Sequence, residues 1–198
     1  MSVSRLWLVR HAQPLIAPGV CYGRLDVPAD DAASRQAAQS LRLALPHEYE
    51  AWHSPLQRCK QLERHLRAQH PVFTSTPEPR LMELDFGRWE GLGWEQIGKS
   101  AVDAWSRDLA GHAPGGGEPL RSMLARVHDA LRTMARRGAG APDMVWITHA
   151  GVIRCVQWLL AHGSRLPTAG DWRLPAPAFG QWITLPLREI SRKVLPQG

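Results

Sequence analysis

The sequence predicts an α/β fold: a three-layer sandwich in which helices flank a mostly parallel central sheet. Short apolar runs of strand length alternate along the chain with longer stretches of helical periodicity, a rhythm typical of such sheets. The 198 residues, 44% hydrophobic and 21% charged, suffice to bury the core of one soluble domain. Residues 85–118 interrupt the alternation, and we expect them to form a small helical insertion within a single domain over 1–198.

Proline, glycine and serine mark the element boundaries in the first part of the chain. Residues 5–10 are a short apolar run bounded by polar residues, which predicts a buried strand. Three prolines and two glycines in 12–30 predict a long loop. The Ala-, Gln- and Leu-rich residues 31–45 predict a helix, and 49–53 predict a second strand. Ser54-Pro55 then predicts a helix start, with serine as N-cap and proline at the first helical position.

Periodicity predicts the later elements. Residues 72–74 predict a third strand and 94–109 a helix, which a glycine-rich loop over 111–119 follows. Apolar residues then recur every three or four positions through 120–134, the pattern of an amphipathic helix. The apolar run 144–148 predicts another buried strand. The remaining elements are a helix through 152–160, a loop over 163–178 and a final strand over 182–185.

Two histidines occupy matching positions after apolar runs. Arg10-His11 follows the first predicted strand, and His149 follows the strand over 144–148. Parallel sheets gather ligands at the carboxyl ends of their strands, so these side chains would face one crevice. Arg58 lies in the first turn of a predicted helix, where backbone N–H groups also favour anions. Because guanidinium groups match phosphate oxygens, the set indicates a phosphoryl-transfer site.

Five short motifs occur in order between residues 8 and 151. They are Leu8-Val9-Arg10-His11, Ser54-Pro55-Leu56-Gln57-Arg58, Leu81-Met82-Glu83-Leu84-Asp85-Phe86-Gly87, Pro114-Gly115-Gly116-Gly117-Glu118 and Thr148-His149-Ala150-Gly151. Their order and composition resemble the histidine phosphatase superfamily, the phosphoglycerate mutase-like enzymes. The resemblance implies the fold of that family and a metal-independent phosphomonoesterase, with no cofactor, that acts through a phosphohistidine.

The resemblance also implies a role for each basic residue. His11 would be the phosphorylated nucleophile, with Arg10 and Arg58 as phosphate clamps. An imidazole attacks phosphorus only when it is neutral, and the adjacent Arg10 disfavours protonation. His149 would donate a hydrogen bond to the transferring phosphoryl group.

Three carboxylates compete for the role of general acid. By resemblance Glu83 protonates the departing oxygen and then activates water. Asp85 and Glu90 lie close to it in the sequence and are the alternatives.

The chain departs from the family pattern near the nucleophile. Ala12 stands in place of the usual glycine, and Gln13-Pro14 in place of the Glu-Thr of many members. No asparagine follows at 15–19, so that phosphate contact is either missing or supplied by Gln13 or a loop amide. Pro119 stands in place of a serine, so the loop over 114–119 either caps a helix or contacts substrate.

The loop Gly19–Asp26 resembles the corresponding loop of α-ribazole phosphatase-like members. Tyr22, Gly23 and Arg24 are therefore candidates for substrate binding, although we slightly favour an ordinary surface-loop role for Tyr22 and Arg24. Ala150-Gly151 would let the backbone approach the substrate closely, because glycine has no side chain. The resemblance implies α-ribazole 5′-phosphate, and hence cobalamin synthesis, as a candidate substrate and pathway. The tryptophans of 85–118 serve either core packing, which we favour, or an apolar substrate pocket.

Composition limits the kinds of ligand and the cellular locations to be expected. The formal net charge is +6, but the arginines are scattered without a run, which argues against nucleic acid and suits a small phosphorylated metabolite. The three cysteines lie far apart, which argues against a zinc site and favours a reducing compartment. The first apolar run is too short for a signal peptide, and no run is long enough to span a membrane. We expect a cytoplasmic protein whose oligomeric state stays open.

Three alternative functions remain. A cofactor-dependent phosphoglycerate mutase is the nearest, although mutases of the family are generally longer. A phosphatase acting on phosphohistidine in proteins would have a minimal cap, which the 85–118 segment argues against. A non-catalytic phospholigand-binding module would be expected to have lost at least one of the five polar site residues.

Overall fold

The predicted α/β architecture is confirmed. The computed structural model describes residues 4–70, 73–138 and 140–195. The strands are β1 Arg5–Arg10, β2 Tyr49–His53, β3 Thr74–Pro77, β4 Asp143–Thr148 and β5 Trp182–Pro186. They form one sheet in the order β3-β2-β4-β1-β5. The first four are parallel, and β5 pairs antiparallel with β1, so the sheet is mostly parallel.

Helices cover both faces of this sheet. They are α1 Asp31–Ala44, α2 Gln57–Gln69, α3 Trp94–Ile97, α4 Lys99–Arg107, α5 Leu120–Ala135, α6 Ala150–His162 and α7 Leu187–Val194. Along β1, Leu6 and Leu8 point into the core with α5, α6 and α7, whereas Trp7 and Val9 point into the core with α1 and α2. Successive side chains of a strand alternate between faces, so a continuous apolar run supplies both cores.

Two predicted boundaries in the first half were wrong. Helix α2 begins at Gln57, with Leu56 in the N-cap position and no side-chain cap. Ser54 is not the cap because its hydroxyl lies 2.8 Å from His149 Nε2. The third strand begins at Thr74, since Phe73 precedes it as a buried core residue outside the strand. Val72, also included in that prediction, lies outside the described residues.

Two further corrections concern helices. The single helix predicted over 94–109 is two helices, because Gly98 adopts a φ of +83° between α3 and α4. A left-handed residue of this kind interrupts an α-helix. Helix α7 was not predicted, yet it buries Ile190 and Val194 against the sheet face that carries α5 and α6.

The segment 85–118 has an aromatic cluster of its own. Phe86, Trp89, Trp94 and Trp105 lie with ring centroids 5.7–6.5 Å apart, mostly edge to face. Such arrangements are favourable for aromatic rings. The tryptophans therefore pack within the segment, and Trp105 also reaches a pocket at the end of the sheet. Among the helices described, none is long and apolar enough to cross a membrane.

Candidate active site

The sheet register places the two motif histidines side by side. Strands β1 and β4 are parallel neighbours in which Arg10 pairs with Thr148. The residue that follows each strand is a histidine. The backbone N–H of His11 donates to the Thr148 carbonyl oxygen at 3.0 Å. The two rings lie 5.1 Å apart between centroids, and both side chains are buried. Two histidines 138 positions apart in sequence thus meet at the carboxyl edge of the sheet.

His11 is held as a neutral imidazole. Burial, assisted by the positive charges of Arg58 and Arg10, lowers the pKa of His11 to about 3. Its Nδ1 lies 2.7 Å from the Ala12 carbonyl oxygen. A neutral ring bonds to a carbonyl only through a protonated nitrogen, so Nδ1 carries the proton and Nε2 keeps a lone pair. An imidazole in this state can act as a nucleophile.

Arg10 is oriented by the segment before β5. Its guanidinium carbon lies 3.8 Å from the ring centroid of Phe179, and its Nη1 donates to the Pro177 carbonyl oxygen at 3.0 Å. Its buried Nε has no hydrogen-bond partner among the described residues. A buried donor left unpaired is costly, and an anionic ligand at this edge would satisfy it.

Arg58 is fully buried between the histidines and the loop after β1. Its Nε donates to His149 Nδ1 at 3.3 Å, its Nη1 to the Leu25 carbonyl oxygen at 2.8 Å and its Nη2 to that of Gly23. These contacts use three of the five N–H bonds of a guanidinium. A Cβ on Gly23 would lie 1.8 Å from the Leu84 carbonyl oxygen, so glycine is required there.

His149 lies behind Arg58 and not in the wall of the pocket. Burial, together with the positive charge of Arg58, lowers its pKa well below the usual value. Since Nδ1 accepts from Arg58, the neutral ring carries its proton on Nε2 and donates to Ser54 Oγ. Ser54 was missed as a site residue: its place before Pro55 suggested a helix cap, and no local signal indicated a bond to a residue 95 positions away.

Glu83 is the carboxylate that lines the same pocket as His11. Its Oε1 accepts from the Leu84 N–H and its Oε2 from the Gly151 N–H, each at 3.0 Å. A Cβ on Gly151 would lie 2.0 Å from Glu83 Oε1, so only glycine leaves room for this carboxylate. Glycine at 151 therefore positions Glu83 through its missing side chain.

Arg126 holds the segment that carries Glu83. Its guanidinium donates to the carbonyl oxygens of Arg80, Met82 and Glu83 at 2.6–3.2 Å. It also forms a two-pronged ion pair with Glu118 at 2.8 Å. Sequence reasoning missed this arginine, because an arginine on an amphipathic helix is ordinarily a solvated charge.

These residues surround a pocket of about 310 Å³. Its polar wall is made of the side chains of Arg10, His11, Arg58, Glu83 and Arg154, together with Ala150 and Gly151 at the start of α6. Its apolar wall comprises Tyr22, Leu84, Phe86, Trp105, Leu120, Met123 and Trp172. Arg154, on the second turn of α6, was not predicted from the sequence. A concave apolar site with a few convergent polar groups is typical of small-molecule binding.

Other candidate residues lie outside this pocket. Gln13 is exposed at a separate depression near α1. Arg24 turns to the carboxylates of Glu118 and Asp85. Glu90 accepts from four backbone N–H groups, three of them at Gly23, Arg24 and Leu25, so it organises the loop. The amides of Gly23, Arg24 and Leu25 are therefore engaged with Glu90 and do not replace the absent asparagine.

The glycine-rich loop over 114–119 also lies outside the pocket wall, with Pro119 in the N-cap position of α5. In the parts of the chain that the structure describes, no cluster of three or more His, Cys, Asp or Glu side chains could hold a metal ion.

Comparisons with known proteins agree with this geometry. The family model described as histidine phosphatase superfamily (branch 1) matches residues 6–189. The metal-independent phosphoserine phosphatase of Arabidopsis thaliana is 27% identical over 170 residues, covering 82% of this chain and 71% of the relative.

Solved structures match along nearly the whole chain. A mycobacterial glucosyl-3-phosphoglycerate phosphatase is 25% identical and has a TM-score of 0.77. The match covers 92% of this chain and 90% of the phosphatase chain. That phosphatase is also known in complexes with VO3 and with inorganic phosphate. A protein of Thermus thermophilus is 32% identical, with a TM-score of 0.62 and coverage of 83% of this chain and 89% of its own.

Proposed function

We propose that this chain, which belongs to the histidine phosphatase superfamily and is a phosphatase, hydrolyses small phosphate monoesters through a phosphohistidine on His11, without a metal. The observation that carries the proposal is the hydrogen bond from His11 Nδ1 to the Ala12 carbonyl oxygen. It leaves Nε2 unprotonated near the buried Arg58 and the half-buried Arg10, which is what an imidazole nucleophile requires.

In the first step the lone pair of His11 Nε2 forms a bond to phosphorus, and the bond from phosphorus to the ester oxygen breaks. Glu83, entering protonated, gives its proton to that oxygen, so the leaving group departs as an alcohol. Arg10 and Arg58 neutralise the negative charge on the phosphoryl oxygens. The unpartnered Nε of Arg10 supports this role.

In the second step a water molecule attacks the phosphohistidine. Glu83, now a carboxylate, takes a proton from the water as the new bond to phosphorus forms. The bond from phosphorus to His11 Nε2 breaks with its electron pair returning to the ring, and inorganic phosphate leaves. Glu83 is protonated again and His11 is neutral, so the cycle closes.

His149 supports the site in one of two ways. In the structure it holds Arg58 through Nδ1. In the second way, which the resemblance implies, Nδ1 of His149 carries the proton and donates a hydrogen bond to a phosphoryl oxygen in place of its bond with Arg58. Nε2 is then unprotonated and must accept from the Ser54 hydroxyl, which can donate.

We propose α-ribazole 5′-phosphate, and thus a step of cobalamin synthesis, as the first substrate to test. The resemblance of the Gly19–Asp26 loop supports it, and Tyr22 of that loop lines the pocket. The aromatic walls at Phe86, Trp105 and Trp172 suit a flat aromatic leaving group. The phosphoserine and glucosyl-3-phosphoglycerate phosphatases among its relatives make those esters the next candidates.

We further propose that the chain is one domain, in which the 85–118 segment acts as a cap through Phe86 and Trp105. A cytoplasmic location fits its three free, buried cysteines, because thiols persist in reducing compartments.

The test is phosphate release with EDTA present, across a panel of monoesters. The panel contains α-ribazole 5′-phosphate, O-phosphoserine, glucosyl-3-phosphoglycerate and 3-phosphoglycerate. His11→Ala serves as the blank, and His47→Ala, at an exposed position away from the pocket, is the matched control. We expect the control to keep full activity and His11→Ala to lose it while folding normally.

Each other result points elsewhere. Turnover by His11→Ala would exclude the phosphohistidine, and loss of activity in EDTA would mean that a metal takes part. Isomerisation of 3-phosphoglycerate faster than its hydrolysis would identify a mutase. A flat, slow profile would leave the chemistry in place and remove α-ribazole 5′-phosphate as the substrate.

A further inference from the structure

A second cavity, of about 360 Å³, lies against another face of α5 from the proposed active site. We call it the basic groove. Its walls are one side of α5, the end of α6, the turn at 163–166 and the last turn of α7, with Arg121, His128, Arg165, Leu166 and Lys193 at its borders.

The charged side chains that line the basic groove are all positive, beside the neutral Ser164. Arg121, Arg165 and Lys193 line it with His128, and no carboxylate lies among the described lining residues. Lys193 Nζ is held by the Leu160 carbonyl oxygen, and Arg165 has one exposed, 3.5 Å ion pair with Asp171. Surface pairs of that kind contribute little, so the positive charge is largely uncompensated.

Two of these side chains are left without a polar contact in the described part of the chain. Arg121 and His128 form no side-chain hydrogen bond or ion pair with any residue that the structure describes. They lie seven positions apart, on the same side of α5, and so face the groove together.

The floor of the basic groove is apolar. Leu124, Leu159 and Val194 line it with 4–9% of their surface exposed, so they form a floor continuous with the core. Leu166 stands at its border with 51% of its surface exposed, so it adds apolar surface beside the floor. The groove therefore combines an apolar floor with a basic border.

We propose that the basic groove binds an amphipathic organic anion, of the class of a medium-chain alkyl carboxylate. The apolar floor would take the chain, and Arg121 with His128 would take the carboxylate. A nucleic-acid backbone would leave the leucine floor unused, and its phosphates need a longer basic stripe. The cavity volume lies in the range of small-ligand sites.

The probe is decanoate, titrated by calorimetry into the intact protein, with inorganic phosphate saturating so that the active site is occupied. Decanol and decyltrimethylammonium carry the same chain with a neutral and a positive head. We expect decanoate to bind at one site per chain, at least tenfold more tightly than either, and less tightly as salt increases.

Variants assign the site. Arg121→Gln with His128→Gln should weaken decanoate binding at least tenfold, whereas Arg64→Gln, on an exposed arginine of α2, should not change it. Leu166→Ser should weaken binding of all three probes, with Leu43→Ser, on a leucine that is 90% exposed, as its control. None of these side chains lines the proposed active site, so phosphate release should be unchanged throughout.

Four results would overturn the proposal. The first two are that decanol binds as tightly as decanoate, and that the groove variants leave the affinity for decanoate unchanged. The other two are that decanoate and phosphate compete for binding, and that no saturable binding occurs up to millimolar decanoate. Each leaves the phosphatase chemistry of His11 untouched, so the two proposals fail separately.

Discussion

Replacing Gly151 by alanine should impair catalysis by moving Glu83. The added Cβ would lie 2.0 Å from Glu83 Oε1, 2.9 Å from its Cδ and 3.1 Å from Met123 Cε. Ordinary contact begins at 3.4 Å, so the carboxylate must shift by about 1.4 Å or rotate out of place. The shift also breaks the 3.0 Å hydrogen bond from the Gly151 N–H to Oε2.

The size of the effect follows from the role of Glu83. A misplacement of about 1 Å can cost roughly 100-fold in rate, and a general acid contributes about 100- to 10,000-fold. We therefore expect kcat of Gly151→Ala to fall by roughly 100-fold for an alkyl phosphate, whose poor leaving group needs the proton. For p-nitrophenyl phosphate, whose leaving group departs as an anion, the fall should be about tenfold or less.

The assay is steady-state phosphate release from both esters, with thermal unfolding measured alongside. Gly170→Ala is the matched control, because its new Cβ meets only Thr168 Oγ1, at 3.7 Å. Combining Gly151→Ala with Glu83→Gln should add almost nothing to Glu83→Gln alone, since both act through one carboxylate. Equal losses for the two esters, or additive losses in the double variant, would refute the argument that Gly151 acts by placing a general acid.

Three further predictions concern stability and positioning. Because the folded pKa of His11 is about 3 and that of His149 is also lowered, the unfolded chain binds more protons between about pH 3 and 6.5. The stability that these neutral histidines contribute should therefore be fully present above pH 6.5, and the free energy of unfolding should fall by about 1.4 kcal/mol per pH unit per histidine below it. Urea titrations at several pH values should show that the free energy of unfolding depends less steeply on pH in His11→Gln than in the wild type. An equal pH dependence would contradict a buried neutral His11. Arg126→Met should lower kcat at least tenfold with little change in KM, because the carbonyls beside Glu83 lose their donor. Arg121→Met on the same helix is the control. A change in KM alone would argue against a positioning role for Arg126. Glu90→Gln should lower the free energy of unfolding by about 1–3 kcal/mol, since the oxygens of Glu90 accept from four backbone N–H groups. An unchanged urea midpoint would mean that the loop does not depend on the Glu90 carboxylate.

Much of the fold could be predicted because its signals are local. The strands β1, β4 and β5 are short apolar runs, α1 has a composition typical of helices, and α5 carries clear helical periodicity. Predictions failed where a distant contact outweighed the local pattern: Ser54 bonds to His149 instead of capping α2, and Gly98 breaks a helix whose periodicity continues across it. Helix α7 buries its apolar residues on elements far away in sequence.

The same division applies to the site. His11, His149 and the two arginines could be selected from the sequence, because strand ends and helix starts are local features and parallel strands bring them to one edge. Only the match to the family motif favoured Glu83 over Asp85 and Glu90. The structure separates them by the pocket: Glu83 lines it, Asp85 turns to Arg24, and Glu90 binds backbone amides.

The sequence by itself therefore determined the fold class, the family and the residue types that can transfer a phosphoryl group. The tertiary structure alone decided which nitrogen of His11 is free, that His149 lies behind Arg58, and that Gly151 makes room for Glu83. These properties depend on single hydrogen bonds and on space left between atoms. The first depends on how the His11 ring turns toward the neighbouring Ala12 carbonyl oxygen. The other two arise from contacts across tens of residues, which no pattern of neighbouring side chains encodes.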